Sequence, residues 1–283
     1  MKHLLAIESY RTWKNFGIDE GFKLIRDAGF DGLDLSFYWD AAKSFCGDDY
    51  QNIALKIKSV LEKYDLRCNQ AHAPFDFRYG MEQDDSCFEY LSIKRAIEMC
   101  GIIGIDHIVV HGIRVPAPSC SHMNLEYNYG FYKSLEPFCE KYGVKIAVEN
   151  LMDAFTYPDL LNDILKKLDS PWYIGLVDIG HAWLRGGIQP GDFIRQMDRE
   201  VIKGLHIQDT HGMDLGIDEH LVPYMANIDF DDLLKALREY GYQGDFTLEC
   251  PRFLDFYAKH DLLLPALKFA CDIGRKLISD FEA

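Results

Sequence analysis

The feature of the sequence that most constrains its fold is a short apolar run that leads to a metal-binding or proton-transferring residue and occurs four times. The run IGLVDIGH contains Asp178 and, three residues later, His181. The runs KIAVE, KGLHIQD and DFTLE carry Glu149, His206 and Glu249 at or near their ends. Apolar runs of this length are typical of strands that are buried on both faces of a parallel sheet. The pattern therefore predicts a sheet whose strand ends carry one shared polar site.

The alternation of side chains along these strands places the polar groups on one face. Glu149, His206 and Glu249 each share a face with a small residue two positions earlier, while the residues between are Val, Leu or Ile. A single buried carboxylate is costly, whereas several carboxylates and an imidazole that converge are stabilised by a divalent cation. The four runs therefore predict a metal site, and their apolar face predicts a layer of covering helices.

The whole chain alternates strand-like and helix-like segments, which gives eight β-then-α units in 283 residues. This number and length predict an α/β fold, a single (β/α)8 TIM barrel domain over residues 1–283. A doubly wound sheet is the alternative, but its first strand is usually followed by a glycine-rich turn, and SYRTW is not one. The predicted strands are residues 2–8, 32–37, 67–73, 107–111, 145–150, 174–178, 203–209 and 245–249. The predicted helices are residues 19–28, 50–64, 88–103, 125–142, 158–168, 192–197, 230–240 and 261–281.

Composition narrows the class of function. The chain has 45 acidic and 30 basic residues and a formal charge of −15, a balance that repels phosphate backbones and anionic membranes, so a nucleic-acid partner is not expected. Its eight cysteines are scattered without a C-x-x-C spacing, which is typical of reduced thiols in a cytoplasmic protein. The first apolar stretch ends directly before Glu8 and is too short for a signal peptide, so we expect none. No apolar stretch is long enough to span a bilayer, so we expect no membrane association.

In a barrel of this type the active site lies at the carboxyl ends of the strands. The candidate residues that fall there are His72, His111, Glu149, Asp178, His181, His206 and Glu249. Residues 209–229 form a connection that is long for a barrel and contain Asp218 and His220, which are further candidates for ligands or a lid.

Seven short motifs, in this order, resemble those of the xylose isomerase-like TIM barrel superfamily, which includes sugar phosphate isomerases and epimerases and the AP endonucleases of family 2, the endonuclease IV type. The resemblance covers nearly the whole chain. The motifs are AHAP (71–74), VVHG (109–112), VEN (148–150), DIGHA (178–182), LHIQD (205–209), DEH (218–220) with NIDF (227–230), and LE (248–249).

The resemblance implies two different sets of metal ligands. In the isomerases, the residues that match Glu149, Asp178, His206 and Glu249 hold one divalent metal, and the one that matches His181 contacts the substrate. In the endonucleases, positions like His72, His111, Asp218 and His220 join these residues in holding three zinc ions. One departure is His211, which lies where ketose 3-epimerases have an arginine shortly after the metal histidine, and it argues against 3-epimerase activity on a free ketohexose.

Two sets of residues can each be interpreted in two ways. His72 and His111 are either metal ligands or hydrogen-bonding neighbours of the ligands. The aromatic residues after the first two strands either form an apolar wall for a sugar or pack in the core; they are Trp13, Phe16, Phe37, Tyr38 and Trp39.

We therefore expect a metal-dependent sugar or sugar-phosphate isomerase or epimerase that acts through a metal-bound enediolate. Glu149 and Glu249 are the predicted proton-transfer pair, and the metal is one of Mn²⁺, Zn²⁺, Mg²⁺ or Co²⁺, with a multinuclear zinc site as the alternative. The predicted partner is a small sugar-like substrate, and a homo-oligomer is compatible with the chain. The predicted substrate-binding residues are His181, His72, His111, His220, Asp218 and Trp13.

The alternative function is a zinc-dependent AP endonuclease. Such an enzyme needs a basic rim that holds phosphates, and we expect none here. The cations that the sequence places near strand ends are a thin set: Arg114, Arg185 and Arg252.

Overall fold

The predicted apolar runs form parallel strands in the computed structural model, which describes residues 3–38, 40–151 and 154–283. Each strand pairs with the next along the chain, and β8 pairs with β1, so the sheet closes into an eight-stranded barrel. The predicted (β/α)8 fold is confirmed. The strands are β1 (Leu5–Glu8), β2 (Gly32–Ser36), β3 (Arg67–His72), β4 (His107–Val109), β5 (Lys145–Glu149), β6 (Tyr173–Asp178), β7 (Ile202–Ile207) and β8 (Phe246–Leu248).

The helices cover the outside of this barrel. They are α1 (Tyr10–Ala28), α2 (Tyr50–Tyr64), α3 (Phe88–Ile103), α4 (His122–Tyr142), α5 (Pro158–Leu168), α6 (Ile179–Gly186), α7 (Pro190–Gln196), α8 (Phe230–Tyr240), α9 (Pro251–Ala258) and α10 (Leu263–Glu282). Most pack side by side in chain order, and α10 closes the ring against α1. The short helices α6 and α9 follow β6 and β8 at the mouth of the barrel. Among the described residues, no helix has the length and apolar character that crossing a membrane requires.

Two of these helices were not predicted, because each is short and begins directly at the end of a strand. The Asp178 side chain accepts a hydrogen bond from the His181 N–H at 2.8 Å and so caps α6. Pro251 occupies the first turn of α9, where its missing N–H is not needed. The interpretation of Asp178 as a helix cap and its interpretation as a site residue are therefore compatible.

The core has an outer and an inner part. The outer part lies between the sheet and the helices and contains strand residues such as Leu5 and Ile7. The inner part, inside the barrel, is a small apolar cluster of Val109, Ala147, Ile174 and Leu176. This split confirms the predicted alternation, since consecutive strand residues face opposite sides of the sheet.

Helix α1 begins nine residues earlier than predicted and is broken at Gly17, which has φ 78° and ψ 170°. The segment before the break turns back against Gly21, where a Cβ atom would lie 2.8 Å from the backbone carbonyl carbon of Thr12. This close approach brings the first turn of α1 to the barrel mouth.

Replacing Gly21 by Ala is expected to destabilise the protein. The clash is with backbone atoms that cannot rotate away, and overpacking costs about 1–3 kcal/mol, while the gain in helix propensity is only about 1 kcal/mol. Urea unfolding should show a lower midpoint. The control is Gly130→Ala in α4, where a Cβ meets no atom within 4 Å and the propensity gain should raise stability. Equal midpoints for the two variants would contradict the predicted close contact.

Candidate active site

The predicted site residues meet at the carboxyl ends of β3 to β8 and in the loop after β7. Within the described ranges they form three groups, and in each group one candidate ligand atom from every member lies within 4.8 Å of the others. The groups are His72, His111 and Glu149; Glu149, Asp178, His206 and Glu249; and His181, Asp218 and His220.

Glu149, the last residue of β5, belongs to two of these groups and is almost fully buried. Its Oε2 lies 3.0 Å from His111 Nε2. Its Oε1 lies 3.2 Å from His206 Nδ1 and 3.4 Å from His181 Nδ1. One carboxylate is therefore surrounded by three imidazoles from three different segments of the chain.

His72 is oriented so that one ring nitrogen faces this carboxylate. Its Nδ1 lies 3.0 Å from the Ala73 carbonyl, to which it can only donate, and its Nε2 lies 4.0 Å from Glu149 Oε2. Burial lowers the pKa of His72 to about 4, so the ring is neutral at neutral pH. A neutral ring with its Nδ1–H engaged leaves the Nε2 lone pair available to a cation.

The third group depends on the long loop between β7 and α8. Asp209 and Leu221 form an isolated antiparallel bridge that fixes the base of this loop. His220 Nδ1 lies 3.0 Å from the Glu249 carbonyl, and its Nε2 lies 2.9 Å from Asp218 Oδ2. His181 Nε2 lies 3.5 Å from the same Asp218 oxygen. The predicted loop candidates thus come together with His181.

Asp178 and its neighbours form a rigid hydrogen-bonded unit. Gln208 Nε2 donates to both Asp178 carboxylate oxygens, at 3.1 and 3.0 Å. The Asn150 side chain donates to the Asp178 carbonyl and accepts from the Asp178 N–H. These contacts hold the carboxylate at the edge of the sheet without filling all of its acceptor sites.

His206 is held from inside the barrel by two residues that the sequence analysis missed. Its Nε2 lies 3.4 Å from Asp34 Oδ2 and 2.9 Å from Gln70 Nε2, and Gln70 Nε2 also donates to Asp34 Oδ2 at 2.6 Å. A carboxylate behind a ligand histidine fixes the ring and makes it more basic. The signal was present in the sequence, because Asp34 lies between Leu33 and Leu35 and so takes the inner face of β2.

The charges of these groups depend strongly on each other. Burial opposes the ionised form of Glu149, but the surrounding imidazoles outweigh it and hold the pKa of Glu149 well below its usual value. Burial raises the pKa of Glu249 to about 8, although His206 and His220 act in the opposite direction. Burial would lower the pKa of His220, but the carboxylates of Glu249 and Asp218 raise it to about 9.

The residues fit a divalent metal. Asp218 Oδ1 is buried and has no hydrogen-bond partner among the described residues. Glu149 Oε2 and His181 Nδ1 lie near His111 and the Glu149 Oε1 atom, but these contacts lack hydrogen-bond geometry. Such groups are normally satisfied in folded proteins, and carboxylate and imidazole donors suit Zn²⁺, Mn²⁺ and Co²⁺. The group with Asp178 offers three carboxylates and one imidazole, whereas the other two groups are richer in histidine.

A cavity of about 740 Å³ lies above the groups, which is a size suited to a small molecule. Its wall carries four cationic residues: Arg11, Lys14, Arg78 and Arg114. The expectation that the barrel has no basic rim is therefore wrong, because the first turn of α1 and the loop after β3 fold over the mouth. Of the cations considered from the sequence, Arg114 lines this cavity, Arg252 does not, and the Arg185 side chain lies outside the described part of the chain.

Trp13 does not line this cavity within the described part of the chain. Its Nε1 donates to the Ser36 carbonyl at 3.0 Å, and its ring packs on Phe45 at 4.3 Å. Contact between Trp13 and a substrate stays a prediction. Of the other predicted aromatic residues, Phe37 is buried in the core, Tyr38 lines the cavity, Phe16 is about half exposed, and Trp39 lies outside the described residues.

A closed (β/α)8 barrel with converging carboxylates and imidazoles at its mouth defines a class of barrels with a candidate metal site at that end. The chain belongs to one family of this class, the xylose isomerase-like TIM barrels, whose family model matches residues 22–269.

Comparison with individual proteins agrees with this family. The chain is 29% identical over 238 residues to the uncharacterized protein MJ1311 of Methanocaldococcus jannaschii, covering 80% of this chain and 79% of that protein. A structure of D-psicose 3-epimerase in the presence of D-fructose superposes with a TM-score of 0.72 at 13% identity, over 97% of this chain and 99% of that one. A structure of the IOLI protein with a bound zinc atom also gives 0.72, at 18% identity, over 98% and 97% of the two chains.

Metal affinity should rise with pH between about 6 and 8. In the metal-free protein Glu249 and His220 titrate at about 8 and about 9, so below those values a cation must displace their protons. Each released proton makes the apparent affinity change about tenfold per pH unit. Competitive titration with a chromophoric chelator measures this slope, and the control is Glu62→Gln, an exposed residue of α2 outside the three groups. An affinity that stays constant or falls over this range would contradict the assignment.

Proposed function

We propose that the protein is a divalent-metal-dependent isomerase or epimerase of a sugar or sugar phosphate. The observation that carries this proposal is the placement of Glu149 and Glu249 in one ligand group with Asp178 and His206, at the floor of a cavity that can hold a small molecule. A structural neighbour is a sugar epimerase and another holds zinc, which supports the same chemistry.

In this proposal Glu149, Asp178, His206 and Glu249 hold the metal. When it is bound, the metal acts as a Lewis acid toward the carbonyl and a neighbouring hydroxyl of the substrate, where negative charge develops. The other two groups suit a multinuclear zinc site as the alternative, since each has three candidate ligands.

Glu149 and Glu249 act as the proton-transfer pair. A proton on the carbon beside a carbonyl group is weakly acidic, and its removal by one carboxylate gives an enediolate. The same carboxylate or its partner then returns a proton to the carbon. Delivery from the opposite face inverts the carbon and gives an epimer, whereas delivery from one face favours aldose–ketose isomerisation.

His181 donates a hydrogen bond to the oxygen that becomes negative. Asp178, Asp218 and Glu149 lie around this buried ring and raise the pKa of His181 well above its usual value, although burial acts in the opposite direction. A positioned donor is most useful where charge develops in the transition state.

The compartment and the assembly are further parts of the proposal. Eight free cysteines, most of them buried, suit a reducing compartment, and we assign the protein to the cytoplasm. A homo-oligomer stays a prediction.

Solvent exchange tests the proton-transfer step. In D₂O the metal-loaded enzyme should place deuterium on the carbon next to the carbonyl of its best ketose. Glu149→Gln and Glu249→Gln should each lower the rate about 100-fold or more, the scale for loss of a positioned base. The control is Glu62→Gln, an exposed residue of α2 outside the ligand groups, which should exchange normally. Turnover without solvent deuterium, with hydrogen moving directly between carbons, would contradict the scheme.

A zinc-dependent phosphodiesterase for abasic DNA is the second candidate. Two observations favour it: the groups around His72 and His220 match the two additional zinc positions that the resemblance implies, and four cations line the cavity. We rank it second because a chain with a formal charge of −15 repels a polyanion.

We therefore predict no incision of an abasic duplex by nanomolar zinc-loaded enzyme in a gel assay. The unmodified duplex is the substrate control. Incision that is abolished both by chelator and by Glu249→Gln would reverse the ranking.

A further inference from the structure

We propose that Glu8 binds a hydroxyl group of the substrate, on the wall of the cavity formed by β1 and β2, which adds no residue to the candidate ligand groups of the described ranges. This inference rests on the proposed function, because it takes the ligand to be a polyhydroxylated carbonyl compound. It assigns a contact with the substrate to a residue that belongs to none of the three candidate ligand groups.

The position of Glu8 follows from the strand register. Glu8 is the last residue of β1, pairs with Asp34 on β2, and lines the cavity. On its other side Ile7 pairs with Leu248, so Glu8 stands at the level of Glu249 on β8. In the described part of the chain, the ligand groups draw on β3 to β8 and their loops, and none includes a residue of β1 or β2.

The carboxyl group of Glu8 is only half satisfied. Its Oε2 accepts a hydrogen bond from the Tyr10 N–H at 2.8 Å. Its Oε1 is buried and has no hydrogen-bond partner among the described residues, and the whole side chain is 5% exposed. A buried carboxyl oxygen without a partner is unfavourable for folding, and in a ligand cavity the missing partner is most simply a group of the ligand.

The protonation of Glu8 suits a hydroxyl group. Burial raises the pKa of Glu8 to about 7, against the opposing effects of Arg11 and the Tyr10 N–H. Near neutral pH the carboxyl group therefore exists in both forms and can donate as well as accept. A sugar hydroxyl also does both, whereas a phosphate offers mainly acceptors and would compete poorly for this position.

The neighbouring wall has the same polar character. Tyr10, Ser36 and Tyr38 line the cavity beside Glu8. The Tyr10 and Tyr38 rings pack at 4.4 Å, and Tyr38 has φ 101°, a backbone conformation that a bulky residue rarely adopts. A substrate held at the metal-ligand groups by its carbonyl end would extend its remaining hydroxyls toward this wall.

The test uses Mn²⁺-loaded protein, titrated calorimetrically with D-fructose, D-psicose and a set of monodeoxy D-fructoses. Glu8→Leu removes both hydrogen-bonding functions and should weaken D-fructose binding about tenfold, the usual effect of one lost hydrogen bond. Glu8→Gln keeps an acceptor for the Tyr10 N–H and a donor for the sugar, and should stay within about threefold of wild type. Wild type and Glu8→Leu should bind one deoxy sugar equally, the one that lacks the contacted hydroxyl.

Two further measurements separate this role from others. Mn²⁺ affinity should be unchanged in both variants, because Glu8 is outside the ligand groups. Glu8→Asp keeps a carboxyl group but withdraws it from the cavity, and it replaces the Leu variant if that variant does not fold.

Equal D-fructose affinity in wild type and Glu8→Leu would overturn the inference and leave the proposed function intact. The same tenfold loss for every deoxy sugar, or a loss of Mn²⁺ affinity, would also overturn it, since either result means a structural or metal-binding role. Failure of the wild-type protein to bind any of these sugars would overturn the inference and remove free ketohexoses from the candidate substrates, whereas the proposed function is tested separately by the solvent-exchange experiment.

Discussion

The burial of the Glu149 carboxylate among three histidines is the interaction on which the rest of the site depends. A charge in this position is costly to remove from water, by several kcal/mol, unless it is matched by opposite charge and hydrogen bonds. Imidazoles from the ends of β4 and β7 and from α6 lie within 3.4 Å of it. The closed barrel makes this possible, since only a closed parallel sheet brings the ends of distant strands around one point.

Several buried carboxylates and imidazoles share one small space, and their charges shift each other's pKa values. These shifts prepare the site to exchange protons for a cation. Burial raises the pKa of Glu249 to about 8, and the charges of Asp178 and Glu149 act in the same direction. The pKa values of His206 and His181 lie well above the usual value, because neighbouring carboxylates, Glu149 among them, outweigh burial. A divalent cation replaces several of these protons at once. The two glutamates would then be ionised and positioned across the substrate, which is what proton transfer at carbon requires.

Most of the fold, and the convergence of the candidate ligand residues at the barrel mouth, could be predicted from the sequence, because the signal is local. Glu149 and Glu249 end apolar runs, and helices such as α3 and α5 follow ordinary periodic patterns. The residues that the sequence analysis missed reach the site through contacts between distant segments of the chain. Glu8 and Asp34 are isolated acidic residues in β1 and β2. The alternation in β2 places Asp34 on the inner face, but the register of the closed barrel is needed to show which residues the two carboxyl groups lie beside.

The basic rim was missed for a different reason. Arg11 and Lys14 belong to a segment that the predicted boundaries left outside any helix, and the break at Gly17 turns that segment over the mouth. The formal charge of −15 therefore describes the whole molecule, whereas the wall of this cavity carries a local set of cations. The same rim keeps a phosphorylated sugar among the candidate substrates, because guanidinium groups bind phosphate well.

The central claim is that these converging side chains hold a catalytic divalent metal. The most direct measurement is anomalous diffraction from a crystal soaked with Mn²⁺, recorded together with the metal content of the protein in solution. The account predicts a peak between Glu149, Asp178, His206 and Glu249 at one equivalent of Mn²⁺, and loss of that peak in His206→Ala. Full occupancy at other positions only, or no bound metal in solution at saturating Mn²⁺, would contradict it.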